Sequence, residues 1–398
     1  MKVLIIGEIY SENLGDGAIA EANKFLIEKY CNSKARYLDM SNRKDFNIYE
    51  INQNESNTFS ILNYIKKLNK FFMRNSAYSS IVFLTILQFK EKKKIIDNLK
   101  LSLEDVDLVI IGGGQLLMDN HLSFPVRLYT ITKYLEDKSI PFVFSSIGVS
   151  NNWSFIGKEI VSKILSNASL QRLSVRDYLS KEYLIDIFSQ REVDISVDSA
   201  IFIDESFNIM KKKDSNVIGL GITNVASLAF GNNHNQDYSK VKVMDMWVNV
   251  IKHCHTQGHE VELFTNGSKE DFEFSNQIAK EYKARFNLSV SVAERPLTPY
   301  VLVKIISNYN LIVAHRLHSN IIAYSLKIPS IGLGWDAKVK EFGSIINREK
   351  FFLEAKDVNS ENIISLLEDS DSHKFDYNHY DNLKKKKIKY MQHLVRSK

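Results

Sequence analysis

Within Ala314-His315-Arg316-Leu317-His318-Ser319, a guanidinium and an imidazole lie two positions apart. Here the apolar strand Asn310 to Ala314 gives way to a helix through Ile321, Ile322, Tyr324 and Leu326. Arginine offers a planar fork that fits phosphate or carboxylate, and histidine holds or passes a proton near neutral pH. Ser319 is placed to cap the helix, whose first-turn N–H groups and positive dipole end then point where Arg316 and His318 project. The corner is a predicted anion site with acid–base capability.

Other polar residues recur at the ends of apolar segments. Trp335-Asp336-Ala337-Lys338 follows the strand Ser330 to Leu333, and if that strand neighbours the one before Arg316, Lys338 joins Arg316 and His318 around one point. Arg176-Asp177 follows Leu173 to Val175; Arg176 is read either as an anion contact or as an ion-pair partner of Asp177 or Asp198. Asn13-Leu14-Gly15-Asp16-Gly17 opens the first helix, with Asp16 read as its cap, and an acid there favours sugar hydroxyls over phosphate. Gly112-Gly113-Gly114-Gln115 follows the strand Leu108 to Ile111, where three glycines suit the close approach of a ligand or of backbone. Asp119 and His121 lie a turn further on, and Ser145-Ser146-Ile147-Gly148 ends a third strand in the same manner.

These positions require two successive series of strands and helices. The first covers residues 1–205, with strands Val3 to Ile6, Leu108 to Ile111, Phe142 to Ser145, Leu173 to Val175 and Ile195 to Val197. It is interrupted by an insertion at 42–100, rich in Asn and Lys and helical in its second half. A charged break at 204–216 reads as a linker. The second series covers 215–375, with strands Val217 to Ile222, Glu260 to Thr265, Leu311 to Ala314 and Ser330 to Leu333, and a basic helix over 376–398 is expected to fold back on the first unit. Apolar strands alternating with amphipathic helices give an α/β class: two Rossmann-like parallel-sheet domains with an interdomain cleft. Ligands of such sheets sit beyond the carboxyl ends of the strands, where the candidate residues are.

Composition narrows the function classes. The 398 residues, 44% hydrophobic and 25% charged, describe a folded chain with no bias to disorder. Cys31 and Cys254 have no metal or disulfide spacing, and the chain opens on a strand rather than a leader, so a cytoplasmic protein is expected. The apolar run Ser79 to Phe89 is too short to span a bilayer as a helix. Net charge is +5, concentrated in Lys384 to Lys387, Lys389, Arg396 and Lys398, which is either a solvated helix face or a surface for peripheral contact with an anionic membrane face. No metal site and no nucleic-acid module is apparent.

The ordered set NLGD, GGG, SIG, SVRD, RLHSNIIAYSLKIPSI and DAKV, from Asn13 to Phe342, resembles the polysaccharide pyruvyl transferase family. The resemblance implies a GT-B-like fold and transfer of the pyruvyl group of phosphoenolpyruvate to a sugar of a bacterial cell-surface polysaccharide or exopolysaccharide. The acceptor would be a glycan or its lipid-linked or nucleotide-linked precursor, and phosphate would be released as a ketal closes. On that reading Arg316 and His318 are catalytic, and Arg316, His318, Ser319, Lys338 and Arg176 bind phosphoenolpyruvate, a co-substrate that needs no further cofactor. Asn13, Asp16, Gly113, Gly114, Gln115, Asp119 and His121 face the acceptor, with His121 the candidate base on that side. Two other readings stay open. A nucleotide-sugar glycosyltransferase of the same architecture would use the same corner for a diphosphate, and Glu341 and Glu349 have the eight-residue spacing some such enzymes carry, as do Glu273 and Glu281 within one helix. A catalytically silent scaffold in an envelope assembly complex would use the insertion and the basic tail.

Overall fold

Short apolar strands flanked by helices organise the chain into two parallel sheets. The computed structural model describes residues 1–46, 92–231 and 239–396. The first sheet contains β1 (Lys2–Gly7), β2 (Lys34–Asp39), β3 (Leu108–Gly112), β4 (Phe142–Ile147), β5 (Leu170–Val175) and β6 (Asp194–Ile195), in the order β2-β1-β3-β4-β5-β6. The second contains β7 (Val217–Gly221), β8 (Glu260–Phe264), β9 (Ser291–Val292), β10 (Leu311–Ala314), β11 (Ser330–Leu333) and β12 (Phe352–Leu353), in the order β12-β11-β10-β7-β8-β9. All these pairings are parallel, as runs buried on both faces require. The architecture is the GT-B-like pair of Rossmann-like sheets expected from the sequence.

Strand order reverses beside β1 in the first sheet and beside β7 in the second. Such reversals open crevices at the strands' carboxyl ends, because successive helices depart to opposite faces. The loops after β1, β3, β7 and β10 border these crevices.

Alternate strand residues feed different cores. Leu4, Ile6, Val109, Ile111 and Phe144 face a core confined to the first sheet, whereas Val3, Ile5, Leu108 and Ile110 face one continuous with Phe264, Ile312, Ala314 and Ile321 of the second. The helix Leu14–Tyr30 lies in this shared core through Ala18, Ala22, Leu26 and Ile27. Burial of that apolar face fixes the helix, and hence its N-terminal turn, between the two sheets.

Three strands escape the sequence reading: β2, whose residues alternate between exposure and partial burial, and the two-residue edges β9 and β12. The predicted linker begins instead with the helix Ile203–Phe207, whose Asp204 accepts from the tail's Lys384 at 3.1 Å. Residues 92–100 of the predicted insertion are helical, in a helix that runs on to 102, and most of the insertion, with the apolar run Ser79 to Phe89, falls outside the described residues. The tail forms the helix Tyr377–Arg396, and its Gln392 donates to the carbonyl of Tyr30 at 2.9 Å, across 362 positions of chain. Its lysine run is not one solvated face: Lys384 and Lys387 turn inward, Lys385 and Lys386 outward. Lys398 lies outside the described residues. No helix among the described residues is long and apolar enough to cross a membrane.

Candidate active site

A cleft of about 1030 Å³ opens at the carboxyl ends of the two sheets. Asn13, Asp16, Gly114, Gln115, Asp119 and His121 line it from the first half of the chain, facing Arg316, His318 and Lys338 from the second. Arg176 lines it too. Gly113 and Ser319, both predicted site residues, do not reach the cleft. Gly113 takes a φ of 98° and abuts Ile19, while the buried Ser319 hydroxyl donates to Asn266 Oδ1 at 2.5 Å.

The corner after β10 is built differently from the sequence expectation. The helix is Leu317–Ser325, and Arg316, not Ser319, occupies its capping position with extended backbone. The Arg316 guanidinium is committed to a partner: Nη2 and Nε donate to Asp271 Oδ2 at 2.8 and 3.2 Å, and the Asp271 side chain is fully buried. The Trp335 ring neighbours both Arg316 and Lys338. Its ring centroid is 5.9 Å from the Arg316 guanidinium carbon and 5.7 Å from Lys338 Nζ, and Lys338 pairs with Asp336 at 2.9 Å. β10 and β11 are neighbours as the reading required, yet Lys338 reaches its own capping acid rather than the point between Arg316 and His318. His315, fully buried and edge-on to Trp247, has its imidazole pushed down to about 3 by burial and by Arg316, so it stays neutral.

Arg176 is the cation with unspent donors. Only 5% exposed, its side chain meets Asp177 Oδ2 at 3.5 Å from Nε and Asp198 Oδ2 at 3.8 Å from Nη1. Both separations exceed a hydrogen bond, and Nε and Nη1 have no hydrogen-bond partner. Asp198 Oδ2 also faces His318 Nε2 at 3.8 Å, and both of these atoms are likewise unpartnered. Burial works against the Asp198 charge, but His318 and Arg176 outweigh it and hold the carboxyl below its ordinary value. Arg176, Asp198 and His318 are therefore a preformed triplet with hydrogen-bonding capacity in reserve.

Asp16 sits opposite, partly exposed to the cleft. It does not cap its helix, since Asn13 takes that position and Asp16 lies in the first turn, 3.5 Å from Asn13 Nδ2. Burial of its carboxyl, with Glu8 nearby, pushes its pKa up against the pull of His318 and Arg176. Asp119 is spent on backbone: it accepts from Ser154 N at 2.6 Å and Leu122 N at 2.9 Å, bonds that overcome burial and hold its carboxyl below the usual range. It shapes the wall rather than offering itself to a sugar hydroxyl. Exposed His121 takes left-handed backbone, φ 54°, followed by Leu122 at 65°. Two such residues in succession are strained away from glycine, at the point where His121 lines the cleft.

The glycines after β3 were expected to make room for ligand or backbone; Gly114, together with Gly15 in the first helical turn and Gly148 after β4, makes room for the site's own side chains. A Cβ on Gly15 would lie 2.2 Å from His318 Cγ, one on Gly114 2.5 Å from Asp16 Oδ1, and one on Gly148 2.9 Å from Arg176 Nη2. Sequence reasoning named Asp198 only as a partner for Arg176 and missed Asp271. The available signal for Asp271 was Ser268, three residues ahead, which caps the helix Lys269–Phe286 and delivers an acid in its first turn. Glu341 lines the cleft but Glu349 is exposed outside it, so the spaced glutamates do not form a shared site.

The fold and the sequence have recorded relatives. The chain superposes on UDP-GlcNAc 2-epimerase from Methanocaldococcus jannaschii with a TM-score of 0.57 at 11% identity, over 98% of this chain and all of that one. It superposes on the S. aureus MnaA–UDP structure with a TM-score of 0.53 at 10% identity, over 100% and 98% of the two chains. At such identity the likeness concerns fold alone. No curated protein matches the sequence. The family model for polysaccharide pyruvyl transferase matches residues 13–337, a span that includes Asp16, Arg176, Asp198, Arg316 and His318, and the chain belongs to that family.

Proposed function

We propose that the protein transfers the pyruvyl group of phosphoenolpyruvate to two hydroxyls of a sugar, in a polysaccharide or its lipid- or nucleotide-linked precursor, forming a ketal and releasing phosphate. The observation that carries this reading is Arg176: a buried guanidinium whose Nε and Nη1 lack partners, beside His318 and Asp198 in a cleft. A small ligand bearing a phosphate and a carboxylate answers those donors. Arg316 and Lys338 border the same space, each paired with an acid of its own.

The chemistry then follows from the side chains. An imidazolium on His318, whose Nε2 faces Asp198 Oδ2, gives its proton to C3 of phosphoenolpyruvate, and positive character develops at C2. An acceptor hydroxyl adds at C2 and loses its proton, for which Asp16, across the cleft from His318, is the candidate acceptor. The C2–O bond to phosphate breaks and phosphate departs with that electron pair, taking up the proton held by Asp16; the second hydroxyl closes the ketal and its proton returns to His318. The balance is one phosphoenolpyruvate and one diol to one ketal and one phosphate. Protein cations carry the charge throughout, so the sequence calls for no metal or further cofactor.

The test is incubation of the full-length protein with phosphoenolpyruvate and candidate glycans, following phosphate release and the acceptor's mass. A pyruvyl ketal on the acceptor, lost in His318→Ala, is the expected result. Binding of a nucleotide sugar with no binding of phosphoenolpyruvate overturns the reading.

A further inference from the structure

One buried cation takes no part in that chemistry. The helix Tyr377–Arg396 turns Tyr380, Leu383, Met391, Leu394 and Val395 inward, and Lys387 lies amid this apolar stripe, 1% exposed. An ammonium there carries a desolvation cost that leucine or methionine would not. Its Nζ donates to Ser146 Oγ at 2.7 Å and to Ser196 Oγ at 3.1 Å. Both hydroxyls belong to the frame of Asp198. Ser146 occupies the irregular end of β4 in left-handed backbone, φ 54°, and donates to the carbonyl of Val197, while Ser196 comes two residues before Asp198.

The acid whose field reaches Lys387 is Asp198. From its own helix the Tyr390 ring lies with its centroid 5.6 Å away, and Lys384, one turn earlier, is spent on Asp204 and Glu205. β4 and the segment after β6 contribute the two hydroxyls, and Arg176 and His318 stand against Asp198 in turn. Burial pushes the Lys387 amine down to about 7, with Asp198 pulling the other way.

We propose that Lys387 is a positioning residue of the cleft: its Nζ, delivered by the C-terminal helix, ties the Ser146 and Ser196 hydroxyls together and braces the end of β4 against the segment that carries Asp198, so that Asp198 stays aimed at His318 and Arg176. The positioning itself does not depend on which anion the cleft takes; its effect on turnover rests on the pyruvyl-transfer reading. A structural strut and a positioning charge differ in sign. Replacing a buried, incompletely compensated ammonium by an apolar side chain of similar length relieves desolvation, so Lys387→Met holds or gains stability while Asp198 loses its support. Loss of a strut lowers stability and turnover together.

The experiment uses the full-length chain. In Lys387→Met the urea midpoint is expected to hold or rise and kcat to fall about tenfold, with a smaller change in KM for phosphoenolpyruvate. In parallel, the side-chain nitrogen of Lys387 is titrated by NMR in the wild type and in Asp198→Asn. The lost attraction is expected to lower the lysine midpoint by about half a pH unit or more. Wild-type kcat in Lys387→Met, a fall in its urea midpoint alongside kcat, or an unmoved lysine midpoint in Asp198→Asn overturns the proposal. Should the wild type show no turnover with phosphoenolpyruvate, the pyruvyl-transfer reading fails, and the NMR comparison alone decides the positioning role.

Discussion

Arg176→Met separates the anion site from the scaffold that carries it. In the wild type two guanidinium nitrogens are buried without hydrogen-bond partners, and the nearest carboxylates are 3.5 and 3.8 Å away. These N–H groups lie on different edges of the guanidinium, and phosphoenolpyruvate brings two anionic groups, a phosphate and a carboxylate, to engage one each. Hydrogen bonds to charged groups contribute about 1.5–3 kcal/mol each, so the lower bound for two is about 3 kcal/mol, or roughly 150-fold in Kd. The fold has less at stake. Asp177 still accepts from Ser180 N, and Asp198 still accepts from Ala200 N with His318 beside it, so unfolding free energy should fall by no more than about 2 kcal/mol. Arg316→Met reverses the ratio: Asp271, fully buried, loses both of its guanidinium bonds and keeps only those from Asn224, at a folding cost of about 3 kcal/mol. Calorimetric titration with phosphoenolpyruvate, paired with urea unfolding of both variants, measures the two ratios. If Arg176→Met binds phosphoenolpyruvate within about threefold of wild type, the unspent donors are not the anion site, and Arg176 is a sheet-edge ion pair.

Two further perturbations test the site's construction. Gly15→Ala puts a methyl 2.2 Å from the His318 ring, so the ring must move; kcat should fall about tenfold or more, and the loss should be non-additive with His318→Ala, as a double-mutant cycle on phosphate release would read. Asp198 has a folded-state carboxyl held below its ordinary value, so its contribution to stability is present above the unfolded pKa near 3.9 and is lost as pH falls through the folded value. The stability difference between wild type and Asp198→Asn, measured by urea unfolding, should therefore be larger at pH 6 than at pH 3.

The fold was readable because buried parallel strands are apolar on both faces: β1, β3, β4 and β10 are continuous runs that announce themselves. β2 was not, since an edge strand with Lys34 and Arg36 turned outward lacks such a run. The same logic governs the site. Arg316, His318 and Arg176 were found at strand ends, where the fold class puts ligands. What their neighbours would do was hidden, because pairing is decided in space: Asp271 reaches Arg316 across 45 positions of chain, and Lys387 reaches Ser146 across 241. A run of four lysines gives no local sign that its first and last members face inward. That follows only when the helix is laid on the sheet and its apolar stripe is seen to pass through Lys387.

The inward lysine and the glycines address one physical problem. Charged side chains held out of water near one another need a close, rigid surround, or they relax toward solvent and lose the geometry that binding uses. Gly15, Gly114 and Gly148 let His318, Asp16 and Arg176 approach the backbone more closely than any other residue would allow. Asp198 then faces two of the three, and Lys387 closes its rear from a helix nearly two hundred residues further along the chain. In such an arrangement the donors of Arg176 stay unsatisfied because every neighbouring acceptor is held just beyond hydrogen-bond range. That reserve costs stability in the free protein, and an anion entering the cleft recovers it.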